Sequence, residues 1–156
     1  MIEVKDGART LQFNGALLGK STSYRHGSTR WIEFELYRTE SGSYVLSRVG
    51  VSIVYHGAAC RLVQTYKLQE VLFKDIVKNS IPCDICNPDR STDFVFPEKH
   101  RYWAQVSEEP TAVLDALYKY DEGGARYLTN VAQRLLESSS SKDSGIESVY
   151  RIETIP

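Results

Sequence analysis

The residues best placed by spacing to do chemistry are Cys83-Asp84-Ile85-Cys86, a CxxC pair with Pro82 in front of it. On a turn, two thiolates at that spacing reach a zinc ion or form a dithiol redox pair, and a structural zinc site then needs two further ligands. His56 and Cys60, spaced HxxxC, supply them, and the set His56, Cys60, Cys83 and Cys86 uses all three cysteines of the chain. Coordination would also hold the proline-punctuated stretch from Ser80 to Lys99, because metal bonds replace buried apolar area. The alternative leaves Cys60 as a small buried residue, His56 as a strand cap and the CxxC as a coincidence. The expected cofactor is therefore none or zinc.

Other catalytic patterns stop short at a residue their chemistry needs. Pro82-Cys83-x-x-Cys86 matches the second half of the zinc-deaminase signature, whose first half sets a Glu two residues after a His or Cys to shuttle the proton. Here His56 is followed by Gly57-Ala58, and Cys60 by Arg61-Leu62. Gly15-Ala-Leu-Leu-Gly19-Lys20-Ser21 has three residues between its glycines where a phosphate-binding loop has four. No helical stripe follows it to aim amides at phosphates. Pro88-Asp89 and Glu98-Lys99 outline a metal-dependent nuclease, yet adjacent Glu and Lys on a strand face opposite sides. Cys60 with His56 or His100 would make a nucleophile pair, but nothing local activates the thiol. No catalytic residue is assigned, and a small hydrolase with a noncontiguous site remains the third reading.

Two surfaces suit binding instead. Tyr24-Arg25-His26 and Arg30-Trp31, with Tyr37, Arg38 and Arg48 nearby, interleave rings and cations in the manner that stacks bases and neutralises phosphates. Glu33, Glu35 and Glu40 in the same segment oppose a polyanion and fit a mixed solvated face equally well. Ten tyrosines favour protein interfaces, since each joins a rigid apolar ring to a polar tip. The leading expectation is a noncatalytic accessory or regulatory domain with a protein partner. It would bind through Tyr24, Arg25, Arg30, Trp31 and Tyr37 and through the Cys83–Cys86 loop. A zinc-stapled nucleic-acid-binding module is second.

The elements that must position these residues follow from apolar spacing. In Trp31 to Arg38, Ile32, Phe34 and Leu36 share one face while Glu33 and Glu35 take the other, the pattern of a half-buried antiparallel strand. Thr39 to Ser43 supplies a turn, and Tyr44 to His56 returns as a second strand with a bulge or bend expected at Gly50. Thr10 to Phe13 and Ala16 to Tyr24 add strands around Asn14-Gly15, a hairpin-turn dipeptide. Past Gly57 the period becomes helical, predicting a helix over about 67–79, a long loop to Lys99 and a strand from His100 to Val106. A helix opens at Ser107-Glu108-Glu109-Pro110 and is expected to run to Gly123-Gly124. It pairs with a second helix striped by Leu128, Val131, Ala132, Leu135 and Leu136.

The sum is an α+β fold, an N-terminal antiparallel sheet covered by C-terminal helices. Residues 1–137 are expected as one domain, 138–145 as a Ser-rich linker, and 146–156 as a tail or returning strand. A chain of 156 residues buries roughly two-thirds of its unfolded surface. With 42% apolar and 25% charged residues it belongs to the globular class. The formal net charge of -1 gives no general pull toward nucleic acid or anionic lipid. Glu3, Lys5, Asp6 and Arg9 break up the first apolar positions, and no apolar run nears the ~20 residues that span a bilayer. The expected location is cytoplasmic, with no membrane contact.

Overall fold

A computed structural model describes residues 1–25, 28, 30–52 and 100–156. The helix expected over 67–79, the loop from 80 to 99 and the four expected metal ligands, His56, Cys60, Cys83 and Cys86, lie outside the described residues. Met1–Gly50 and Arg101–Pro156 make one compact unit, and Val51–His100 partitions separately. Among the described residues no helix is long and apolar enough to cross a membrane.

The fold is α+β. Its centre is a four-stranded sheet in the order β3 (Gly15–Thr22), β4 (Arg30–Thr39), β5 (Tyr44–Ser52) and β6 (Arg101–Ser107). Alternation in β4 works as the sequence predicts: Phe34 and Leu36 are buried on one face, with Ile32 packed against the same cluster. The other face of β4 carries Tyr37, buried in a second cluster with Val4, Val45 and Ala104. Two apolar layers therefore meet one sheet.

The first layer is helical. Helix α1 (Pro110–Leu117) starts with proline at its first turn, and α2 (Asn130–Ser140) is capped by Thr129, whose hydroxyl accepts from the Ala132 amide at 3.3 Å. The α2 stripe of Val131, Ala132, Leu135 and Leu136 packs with Leu36, Leu46, Val113 and Ile146. Each valine, leucine and isoleucine among them contributes about 1.5–3 kcal/mol on leaving water. The second layer is a two-stranded ribbon, β1 (Ile2–Asp6) and β2 (Arg9–Phe13), which turns at Gly7 with φ of 59°. The Gly7 amide donates to the Tyr102 carbonyl at 2.9 Å and Asp6 accepts from the Ala104 amide at 3.2 Å, tying the ribbon to β6.

Several local expectations give way to tertiary packing. Asn14-Gly15 is no hairpin turn, because β2 pairs with β1 and β3 with β4. Gly15 instead lets two backbones touch, since a Cβ there would lie 2.2 Å from the Arg38 carbonyl oxygen. Gly50 carries no bulge toward β6, whose register runs unshifted from Tyr44↔Ser107 to Gly50↔Arg101. The glycine leaves room for the Arg101 guanidinium, 3.2 Å from where a Cβ would stand. The bulge falls between Leu17 and Gly19, turning both Leu18 and Gly19 inward.

Helix α1 ends at Leu117, short of Gly123-Gly124, and a small hairpin of β7 (Lys119–Tyr120) and β8 (Arg126–Tyr127) takes the place of the expected helical turn. Gly124 with φ of 83° and the Asp121 carboxylate, which accepts from the Ala125 amide at 2.9 Å, close that hairpin. The serine run is not a linker. Ser138–Ser140 complete α2, the Ser138 hydroxyl donating back to the Leu135 carbonyl and the Ser140 hydroxyl to that of Leu136. Small side chains are needed there because Gly19 lies beneath: a Cβ on it would meet the Ser138 and Ser139 hydroxyls at 2.5 Å. The final segment is neither strand nor tail at first, but helix α3 (Ser144–Tyr150), with Ile146 fully buried.

At the turn end of the sheet, the helical face closes on a charged knot. Asp143, the N-cap of α3, accepts from Arg38 at 2.5 Å, from the Tyr44 hydroxyl at 2.7 Å and from the Ile146 amide at 2.9 Å. Burial pushes the Asp143 carboxyl up, but the bonds from Tyr44, Ile146 and Arg38 outweigh it and hold the group below its ordinary value. Burial and the Asp143 carboxylate push the Tyr44 phenol up to about 12.

Candidate functional site

The other end of the same face is open. Along β5 the inward positions read Tyr44, Leu46, Arg48, and along β6 they read Ser107, Gln105, Trp103, paired so that Arg48 stands directly opposite Trp103. The helices cover Tyr44 and Leu46, both 1% exposed, and stop before Trp103, which is 38% exposed. A cleft of about 870 Å³ results. Its floor is Ser21, Ile32, Phe34, Arg48 and Trp103; its walls are the end of α1 with Tyr118 and Lys119, and the first turns of α2 with Asn130, Val131 and Arg134.

Each wall is tied down. Ser21 donates to the Val131 carbonyl at 2.8 Å, which fixes the start of α2 on the edge strand. Arg134 donates to the Thr22 carbonyl at 2.6 Å, holding its guanidinium at the rim. Tyr118 has the Arg126 guanidinium 4.3 Å from its ring centroid, a cation–π contact. Tyr24 stands half exposed at the mouth, with Trp31 edge-on at 4.8 Å between centroids.

The charge of this lining is one-sided. Lys20, Arg25, Arg48, Lys119 and Arg134 contribute five cations, and among the described residues no Asp, Glu, His or Cys lines the cleft. In a chain with a net charge of -1 that is a strong local separation. The low-dielectric protein around such a cleft concentrates its field on whatever enters. The lining offers cations, hydroxyls and ring faces.

No protein-family model matches the chain, and no curated protein or solved structure does.

Of the five residues expected to bind, Tyr24 and Arg25 line the cleft, and Trp31 supports Tyr24 from outside it. Arg30 is exposed at the start of β4 and is not part of the lining. Tyr37 lies elsewhere. It is buried under the β1–β2 ribbon, its ring edge-on to Phe13 at 5.4 Å and its hydroxyl donating to Glu35. Burial, with the Glu35 carboxylate beside it, pushes that phenol upward. Six residues of strand place Tyr37 about 20 Å from Trp31, so the two cannot form one patch. Trp103, Lys119, Asn130 and Arg134 enter the site without having been singled out. For Trp103 and Arg48 a signal existed, an apolar alternation that turns cationic and aromatic at one end of two paired strands.

Proposed function

We propose that this chain is a noncatalytic binding domain that takes an anionic segment of another macromolecule into the cleft between sheet and helices. The observation that carries this reading is the sorting of charge: five basic residues and no carboxylate among the described lining, in a chain whose acids and bases nearly balance. A solvated face has no reason to exclude one sign, whereas a receptor for anions does. The ring faces and hydroxyls interspersed with the cations supply contacts beyond charge.

Long-chain inorganic polyphosphate, a polyanion with no other recognisable group, tests the reading. Binding is expected at low salt and should weaken steeply as salt rises. The charge reversals Arg48→Glu and Lys119→Glu should each reduce it several-fold, and the double reversal should abolish it. Binding that ignores both reversals, or none at low salt, would overturn the proposal.

A further inference from the structure

We infer that the occupant of the cleft is a single-stranded polynucleotide, with one base laid against Trp103. This rests on the anion-binding reading above and deepens it. Cations alone would serve any polyanion, but this cleft sets a large ring beside them on each side. Trp103 lies on the floor with Arg48 directly across the strand pair. Tyr118 forms a wall next to Lys119, and Tyr24 stands at the mouth next to Arg25.

An indole left 38% exposed on an inward strand position, while its neighbour Ala104 is buried on the opposite face, exposes apolar ring to water at a cost of roughly 25 cal/mol per Å². A planar ligand group removes that cost. Stacking of a base on an aromatic side chain contributes about 1–3 kcal/mol and tolerates any base. Base faces are presented by single strands, whereas a duplex stacks them internally and offers edges and backbone. A phosphorylated peptide would satisfy the cations and leave the rings without a matching group. The cations enter from β3 and its following loop, from β5, from β7 and from α2, and so surround the floor on several sides. That arrangement suits successive phosphates of a chain passing over a stacked base.

The test compares three probes of matched phosphate number on the full chain: an oligothymidylate, the same backbone without bases, and inorganic polyphosphate. The ribose form of the first probe is run beside the deoxyribose form, and a preference for either names the sugar while supporting the inference. The base-bearing probe is expected to bind about tenfold or more tighter than the abasic one and to quench tryptophan fluorescence. Trp103→Ala should remove that advantage. Trp103→Phe, which keeps a smaller ring in the same place, should restore part of the advantage but none of the quenching.

Equal affinity for base-bearing and abasic probes, still sensitive to Arg48→Glu, would overturn the inference and leave the anion-binding proposal standing. Failure of all three probes to bind would overturn both.

Discussion

Arg38 and Arg48 stand on the same face of the same sheet, on neighbouring strands, and keep opposite company. Arg38 meets Asp143, a buried carboxylate that also holds Tyr44 and caps α3, and the knot closes that end of the molecule. Arg48 meets Trp103 across the strand pair, at the floor of a cleft whose described lining carries no carboxylate. The same pleat thus serves two purposes. Where a cation is neutralised and covered it stabilises the fold, and where the helices stop short of it, it stands at the floor of an open cleft.

The comparison breaks first at Asp143. Removing a buried partner strands the charges around it, so Asp143→Ala should cost about 3 kcal/mol in urea unfolding, through the lost ion pair and the lost cap together. Polyphosphate affinity of the folded variant should hardly move. If it falls as far as it does in Arg48→Glu, the two ends are not independent.

A smaller loss, about 1–3 kcal/mol, is expected for Gly19→Ala, whose methyl group would overlap the Ser138 and Ser139 hydroxyls. Because α2 also carries the cleft wall, this change should loosen binding as well as stability, which Asp143→Ala should not.

The closed end has a pH response of its own. The Asp143 carboxyl lies below its ordinary value when folded, so its contribution is complete above about pH 4 and disappears as pH falls through the lowered value. The Tyr44 phenol is raised, so its contribution is complete below about pH 10 and is lost as pH climbs toward about 12. Thermal melts across pH should therefore show both flanks. Tyr44→Phe should cost about 1 kcal/mol at neutral pH and flatten the alkaline flank. It should also move the acid flank to higher pH, since Asp143 loses a donor.

The smallest effect on stability is expected at Arg48→Ala, within about 0.5 kcal/mol, as for other exposed positions. Its mark should appear in binding, where the dependence of log affinity on log salt becomes shallower by about 0.7 for a single strand. A large loss of stability there would place Arg48 in the framework and remove the contrast with Arg38.

Strand β4 and the α2 stripe were legible because one side of each element faces the core along its whole length. The serines of α2 misled for the opposite reason: their smallness answers Gly19, more than a hundred residues away in sequence, and no local rule contains that contact. Gly123-Gly124 resembles a helix stop yet closes a hairpin, since cross-strand pairing of Lys119 with Tyr127 competes with continuing the helix. The site was half visible. Tyr24 and Arg25 could be picked out as neighbours, but Trp103, Lys119 and Arg134 join them only when three separate elements converge. The cysteine-based zinc expectation falls on residues 56–86, outside those described.

Helix α2 rests against Gly19 at its last turn and carries Val131 and Arg134 at its first two. Mechanically that is a lever: the glycine contact is a fulcrum, and the Ser21–Val131 and Arg134–Thr22 bonds are two latches at the free arm. A force on the free arm would load those two bonds first, because the serine-on-glycine pivot leaves no room for even a methyl group.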